Sequence, residues 1–452
     1  VKSFVLDHAL LPAGWARDVR VEVADGMIVA VQPGSPADGA ERIAGIALPG
    51  LPNLHCHAFQ RAMAGLAERR GAADSFWTWR AVMYGFVAAL TPDDVEAIAA
   101  FAYMEMLESG FTAVGEFHYL HHDVDGRPFA DIGEMAARIA AAAAATGIGL
   151  TLLPSFYANG DFSGVAGMPG QRRFLNDPDG FLKLLARTRE IAAAVADAAV
   201  GIAPHSLRAV TPDALRAVAE AGGSGPIHIH AAEQTKEVAD CIAALGQPPV
   251  AWLLDNFDVG PRWCLVHATH METGETLRLA RSRAVAGLCP LTEANLGDGI
   301  FRAGEFLSGG GRFGVGSDSN IAIGAAAELR QLEYSQRLSQ RARNVLAAHE
   351  GQSTGRRLYE GALAGGAQAL GRRIGSIEGG RRADIVVLAA EHPDVAGRGD
   401  DSWLDTYVFV AGAKLVRTVL VGGATVVSDG RHRVHAAIAE RYRKVVTQLI
   451  SK

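Results

Sequence analysis

The stretch IALPGLPNLHCH, Ile46 to His57, reads as a buried strand that ends in two imidazoles. A short, nearly continuous apolar run is the form of a parallel-sheet strand covered on both faces. Side chains alternate along a strand, so His55 and His57 project one way and Cys56 the other. Outward along the chain the pattern recurs. FTAVGEFHYL (111–120), IGLTLLPSFY (148–157), AVGIAPHSL (199–207), PIHIHAAE (226–233), WCLVHATH (263–270), AVAGLCPLTE (284–293) and RFGVGSDSN (312–320) are further strands, separated by Ala/Leu/Glu-rich helical segments. Thr91-Pro92-Asp93-Asp94 and Thr211-Pro212-Asp213 are helix start signals. Eight such units predict an α/β fold, a (β/α)8 TIM-type barrel whose site gathers at the strand C-terminal ends. His55, His57, His118, His205, His230, Glu233, His267 and Asp318 all fall there.

Both chain ends read as β. DVRVEVADGMIVAVQPG (18–34) alternates around an Asp25-Gly26 turn, and ADIVVLAA (383–390) and TVLVGGATVVSDG (418–430) are short runs with glycine turns. Each is too small for a core. Residues 1–46 and 371–452 are therefore expected to form one small β-sandwich domain beside a barrel of residues 47–370. A long helical stretch from Ile323 to Leu370 is expected to close that barrel. The 452 residues are 49% hydrophobic and 20% charged, enough to bury a sizeable core and to exclude extensive disorder. Lys and Arg number 43 against 49 Asp and Glu, a net charge of −6 that argues against nucleic-acid binding. The run from Ala136 to Leu153 carries Arg138 and breaks at Thr146-Gly147, so it reads as helix into strand rather than membrane span. No basic, apolar leader opens the sequence, and Cys56, Cys241, Cys264 and Cys289 form no CxxC pair. A soluble cytoplasmic protein is expected.

One HxH is weak evidence for a metal. His228-Ile229-His230 repeats it in another strand and is followed by Glu233, while His267 and Asp318 add an imidazole and a carboxylate. Four such strand ends in one barrel point to a divalent cation. These donors suit Zn²⁺, with Fe²⁺ the second choice, and leave a position for water. A bound cation lowers the pKa of that water toward ~7, the basis of a hydrolase site.

PGLPNLHCH, HIHAAE, LVHATH and GSDSN resemble the metal motifs of the amidohydrolase superfamily, in its deaminase branch. GSIEGGRRADIVVL (375–388) is similar to the C-terminal signature of that superfamily. The resemblance implies that His55, His57, His230 and Asp318 bind one metal ion. Dinuclear members carry a bridging lysine where this chain reads APHSLRAV (203–210). His228 lies deeper on the same face and is expected to be a buried, hydrogen-bonded histidine. The resemblance further implies that Glu233 shuttles a proton to the substrate nitrogen. His267 would orient or deprotonate the water, and Asp318 would accept and redeliver a proton; the division of the base role between these two stays open.

HCHAFQRAMAGLAER (55–69), SFWTWRAVMYG (75–85), GEFHYLHH (115–122) and APHSLRAV are similar, more narrowly, to the formimidoylglutamate deiminases of bacterial histidine degradation. This implies hydrolysis of N-formimidoyl-L-glutamate to N-formyl-L-glutamate and ammonia. In a chain of net charge −6, a small-molecule dicarboxylate needs local cations, and Arg offers a bidentate fork. Arg80 and Arg208 are placed for this, with Gln60, Tyr119 and His205 as neutral donors. Trp77 and Trp79 read as packing residues, and His121-His122 as a solvated loop pair. A homodimer is expected, with no nucleic-acid or membrane partner. One rival is a deaminase of a heteroaromatic ring, such as guanine or an adenosine-type substrate, which calls for an aromatic sandwich and fewer arginines. The other is a non-catalytic scaffold, against which the full ligand set and Glu233 count.

Overall fold

The Asp25-Gly26 dipeptide turns as its composition requires: both residues have positive φ, 50° and 78°, the condition for a two-residue hairpin loop. It joins two of the four N-terminal strands, β1 (Lys2–Leu11), β2 (Gly14–Ala24), β3 (Met27–Gln32) and β4 (Glu41–Pro49). The computed structural model describes residues 1–71 and 74–451. The barrel strands follow as β5 (Leu51–Cys56), β6 (Phe111–His118), β7 (Gly149–Phe156), β8 (Ala199–Val200), β9 (Ala203–Pro204), β10 (Ile227–Ala231), β11 (Trp263–His267), β12 (Val285–Leu288) and β13 (Arg312–Val315). β14 (Ile385–Leu388), β15 (Val416–Val421), β16 (Ala424–Ser428) and β17 (Arg431–His432) complete the terminal sheet.

That sheet has the order β17-β16-β15-β14-β4-β1-β2-β3, with β14 antiparallel to β4. It curls until its edge meets the chain leading into β14. Ile28 N–H donates to Arg381 O, and Gly380 N–H to Ile28 O, both at 2.8 Å. The curl gives both ends of the chain one apolar core, including Phe4, Val21, Ile28, Ile385 and Leu420. The sandwich is thus a single sheet wrapped over its own core.

The barrel has the eight expected strand positions, the fourth broken into β8 and β9. β5 to β8 and β10 to β13 pair in parallel, and β13 meets β5 at Val315 and Asn53. Bridges from Ile202 to Ile227 and from Ser206 to His230 close the ring. The wall helices begin as their caps dictate. Among them are α1 (Phe76–Val87), α2 (Pro92–Ser109) and α3 (Glu134–Thr146). Thr91 and Asp94 form a reciprocal capping box at α2, and Thr211 caps the helix Pro212–Ala221. Ala136 to Leu153 is α3 running into β7. No helix among the described residues is long and apolar enough to cross a membrane.

The stretch from Ile323 to Leu370 is two helices, Ala325–Gln340 and Thr354–Ala369, because Arg341 turns left-handed at φ 54° and ends the first. The second helix plugs the barrel floor, where its last carbonyls find interior donors. His228 Nε2–H donates to Ala369 O at 2.8 Å, and the Thr151 hydroxyl to Leu370 O at 3.0 Å. His228 is thus a buried, hydrogen-bonded floor residue. The C-terminal helix His435–Ile450 packs on α2, with Tyr442 stacked on Phe101 at 3.9 Å, and so lies against the barrel wall.

Candidate active site

Four side chains converge at the mouth of the barrel: His55 and His57 from the end of β5, His230 from β10, and Asp318 just past β13. One ligand atom from each lies within 4.8 Å of all the others. Gly316 makes the approach possible, since a Cβ there would sit 2.6 Å from His55 O. Asp318 N–H donates to His55 O and His57 N–H to Asp318 O, both at 3.0 Å. Asn320 locks the pairing by donating to His57 O and Asp318 O, also at 3.0 Å. Asp318 and His267 hold φ of 43° and 67°, conformations rare outside glycine that tend to persist at functional sites.

Two of the three imidazoles are set in one tautomer. His57 Nδ1 faces Phe117 O and His230 Nδ1 faces His205 O, both at 2.9 Å. A carbonyl only accepts, so each Nδ1 carries the proton and each Nε2 lone pair is bare. His55 Nε2 lies 3.2 Å from His230 Nε2 and 3.2 Å from Asp318 Oδ1, and His57 Nε2 lies 3.3 Å from the same oxygen. Donors around a tetrahedral zinc at ~2.0–2.1 Å are about 3.3 Å apart, so this set fits a metal. Burial lowers all three imidazoles, His55 to about 3, keeping them neutral and able to ligate at neutral pH.

Glu233 and His267 stand beside the cluster. Burial pushes the Glu233 carboxyl up to about 7. The turn carrying it is held by Glu237, which accepts from the backbone N–H groups of Ala232 and Glu233. His267 Nε2 lies 3.9 Å from both Glu233 Oε1 and Asp318 Oδ2. Its Nδ1–H donates to Glu293 Oε1 at 3.2 Å. Burial opposes a charge on His267, but Glu233, Glu293 and Asp318 prevail and raise it to about 10. The glutamate that aims His267 was missed from sequence: Glu293 ends a quoted segment but sits on a helix, one turn past its strand.

A cavity opens onto these groups. It is lined by His57, His230, Glu233, His267 and Asp318, and also by Gln60, Arg80, Tyr119, His205 and Arg208. The structure therefore brings every sequence-derived site residue to one place, His55 lying just behind the cavity wall within the His/Asp cluster. Gln60 donates to the Tyr119 hydroxyl at 2.8 Å, and Tyr119 packs edge-on to His57. Arg80 comes from α1. Arg208 is only 4% exposed. Among the described residues neither guanidinium has a carboxylate within 4.0 Å, and Arg80 Nη1 and Arg208 Nε and Nη1 are buried without a hydrogen-bond partner. Trp77 packs beneath the two guanidiniums, Arg80 and Arg208 lying over its ring at 4.8 and 5.6 Å. His121 and His122 are not solvated; both are buried, with Nε2 groups bonded to Ser155 O and Leu175 O.

The same organisation is found among known proteins. Residues 46–426 match the amidohydrolase family, and residues 6–45 match the N-terminal domain of formimidoylglutamate deiminase HutF. The chain is 53% identical over 453 residues to the formimidoylglutamate deiminase of Pseudomonas aeruginosa, covering 100% of both chains. It is 29% identical to the 8-oxoguanine deaminase of that organism, over 95% of this chain and 94% of the other. The crystal structure of an amidohydrolase from Brucella melitensis superposes with a TM-score of 0.95 at 52% identity, over 100% of both chains.

Proposed function

The chain belongs to the amidohydrolase family, and from that premise we propose that it hydrolyses N-formimidoyl-L-glutamate to N-formyl-L-glutamate and ammonia. The observation that carries this reading is the cavity itself. A metal-ligand cluster lies at one end, and two guanidiniums without carboxylate partners among the described residues line the rest. An exposed arginine would be satisfied by water; buried donors of this kind wait for an anion. A dicarboxylate answers that need and a neutral purine does not.

His55, His57, His230 and Asp318 are proposed to hold one divalent ion, zinc before iron. Such an ion supplies a water acidic enough to give hydroxide at neutral pH. The protein's own groups handle the protons. The reaction breaks the bond from the formimidoyl carbon to its terminal nitrogen and makes a carbonyl there, and both water protons leave with ammonia. Glu233, near pH 7, can give a proton to that nitrogen and take one back. His267, aimed by Glu293, reaches toward Glu233 and Asp318 and completes the relay. Arg80 and Arg208 are proposed to take the carboxylates, with Gln60, Tyr119 and His205 orienting the formamidine.

A homodimer is proposed as well. Leu338 and Val410 are exposed by 79% and 57% beside the stacked Tyr334 and Phe409 rings, an apolar area that a second copy would cover. Four buried, unpaired thiols support a reducing cytoplasm. The deciding experiment is ammonia release from N-formimidoyl-L-glutamate by the zinc-loaded protein, beside guanine and N-formimidoyl-L-aspartate. Preference for guanine would sink the reading.

A further inference from the structure

Two tyrosines outside that residue set line the cavity with Arg80 and Arg208: Tyr84 on α1 and Tyr157 just past β7. Both hydroxyls meet the side chain of Gln171, which is fully buried. The Met168 backbone N–H donates to Gln171 Oε1 at 2.7 Å, and because an N–H can only donate, this contact fixes which way the amide faces. Gln171 Nε2 then donates to Tyr157 Oη at 2.8 Å. Its other hydrogen is shared between Tyr84 Oη at 3.3 Å and Gly160 O at 3.5 Å. An amide nitrogen has no lone pair to offer, so each phenol accepts from Gln171 and its own proton must point elsewhere. The two phenols also lie within reach of each other, so one of them can donate to the other while at least one O–H is left to face the cavity. Burial keeps the Tyr157 phenol above its ordinary range, so the proton stays on oxygen.

The neighbours say what that proton is for. The Tyr157 ring lies 4.5 Å from His205, which lies 4.8 Å from His230, so the phenol is two ring contacts from the metal ligands. Arg80 stacks over Tyr84 at 5.4 Å. Guanidiniums and outward O–H groups make this end of the cavity a set of donors. A carboxylate can accept from all of them, whereas the NH₂ of a carboxamide would face these donors with only the phenols' remaining lone pairs to accept it. We propose that Tyr157 and Tyr84 are further substrate-binding residues, aimed by Gln171 to donate to a substrate carboxylate held by Arg80 and Arg208, and that they select acid over amide. This rests on the dicarboxylate reading given above.

Tyr157→Phe and Tyr84→Phe remove one oxygen each and keep the ring packing. With N-formimidoyl-L-glutamate, Tyr157→Phe is expected to raise KM about 10- to 100-fold, with kcat within about twofold, because a donor to a charged acceptor is lost. Tyr84→Phe, whose link to Gln171 is longer, should raise KM less. Melting temperatures should stay close to wild type. Unchanged KM in both variants overturns the proposal, as does a fall in kcat at constant KM. A loss confined to melting temperature would assign the phenols to packing and overturn it equally. If the wild type releases no ammonia from this substrate, the underlying reading fails and the tyrosine assignment falls with it. Wild-type turnover with indifferent variants sinks the tyrosines alone.

Discussion

Glu233 carries the sharpest test at the scale of single residues. Its carboxyl lies at about 7 because it is buried, and it sits beside the ligand cluster without belonging to it. Glu233→Gln should keep metal content and substrate KM while lowering kcat by roughly 10²–10⁴-fold, the scale of a lost acid–base group. Metal loss in that variant would make Glu233 a support for the ion instead. Arg80 and Arg208 test charge. Replacing either by Met should cost about 2–5 kcal/mol on the dianionic substrate, roughly 30- to 5,000-fold in kcat/KM, with Lys rescuing only part. Equal losses on an uncharged formamidine would mean that the arginines support the fold. The ligand residues were legible because strand alternation fixes direction and position fixes the barrel end. Glu293, Tyr84, Tyr157 and Gln171 were not, because what they aim at is set by contacts between distant segments. His121 and His122 looked solvated for the same reason: their carbonyl partners lie 34 and 53 residues away in the chain.

Among the elements, α1 matters most, since it brings Trp79, Arg80 and Tyr84 to the cavity. Its C-terminal end is tied down by Arg173. This guanidinium is 2% exposed and donates to Val87 O, Leu90 O and His122 O at 2.6, 2.9 and 2.8 Å. Burial lowers it to about 10, still charged at neutral pH. Arg173→Met would strand three carbonyls and free the end of α1. The expected result is about 2–4 kcal/mol lost in urea unfolding together with a raised KM. Stability lost with KM intact would uncouple the staple from the site. β6 offers a pH test through Glu116, which burial raises from 4.5 to about 7 against hydrogen bonds from Ala58 N–H and the Tyr103 hydroxyl. Between those values the unfolded chain releases a proton that the folded chain keeps, so stability falls as pH climbs from about 4.5 to about 7. From pH 5 to 8 the wild type should lose on the order of 1–3 kcal/mol more than Glu116→Gln. Parallel profiles would contradict the buried, protonated carboxyl. Helix existence was legible from caps such as Thr91, but the break at Arg341 was not, since nothing local marks a left-handed arginine.

For the molecule as a whole, a bound ion would join distant parts of the barrel, because its proposed ligands come from β5, β10 and the chain after β13. A cation bound by the native fold alone stabilises it by mass action. Chelation should therefore lower the melting temperature by several degrees, zinc should restore it, and elemental analysis should count about one ion per chain. Two tightly held ions would end the mononuclear assignment. The alternating strand and helix pattern announced the barrel, and the hairpin announced β at the N-terminus. That the two ends pair with each other followed from each being too small for a core, but no local pattern disclosed that they form one curled sheet, because strand order across the whole chain leaves no periodic trace. That sheet has a consequence in the order of synthesis. β4 is made early, but its partner β14 begins at Ile385, after the entire barrel has been translated. At ~5–20 residues per second, the Ile46–Ala47–Leu48 edge waits on the order of 15–70 s on the ribosome without its neighbour. An apolar edge left unpaired that long invites capture by other chains, so nascent chains arrested before Ile385 should need chaperones to stay dispersed, while chains released after β16 should not.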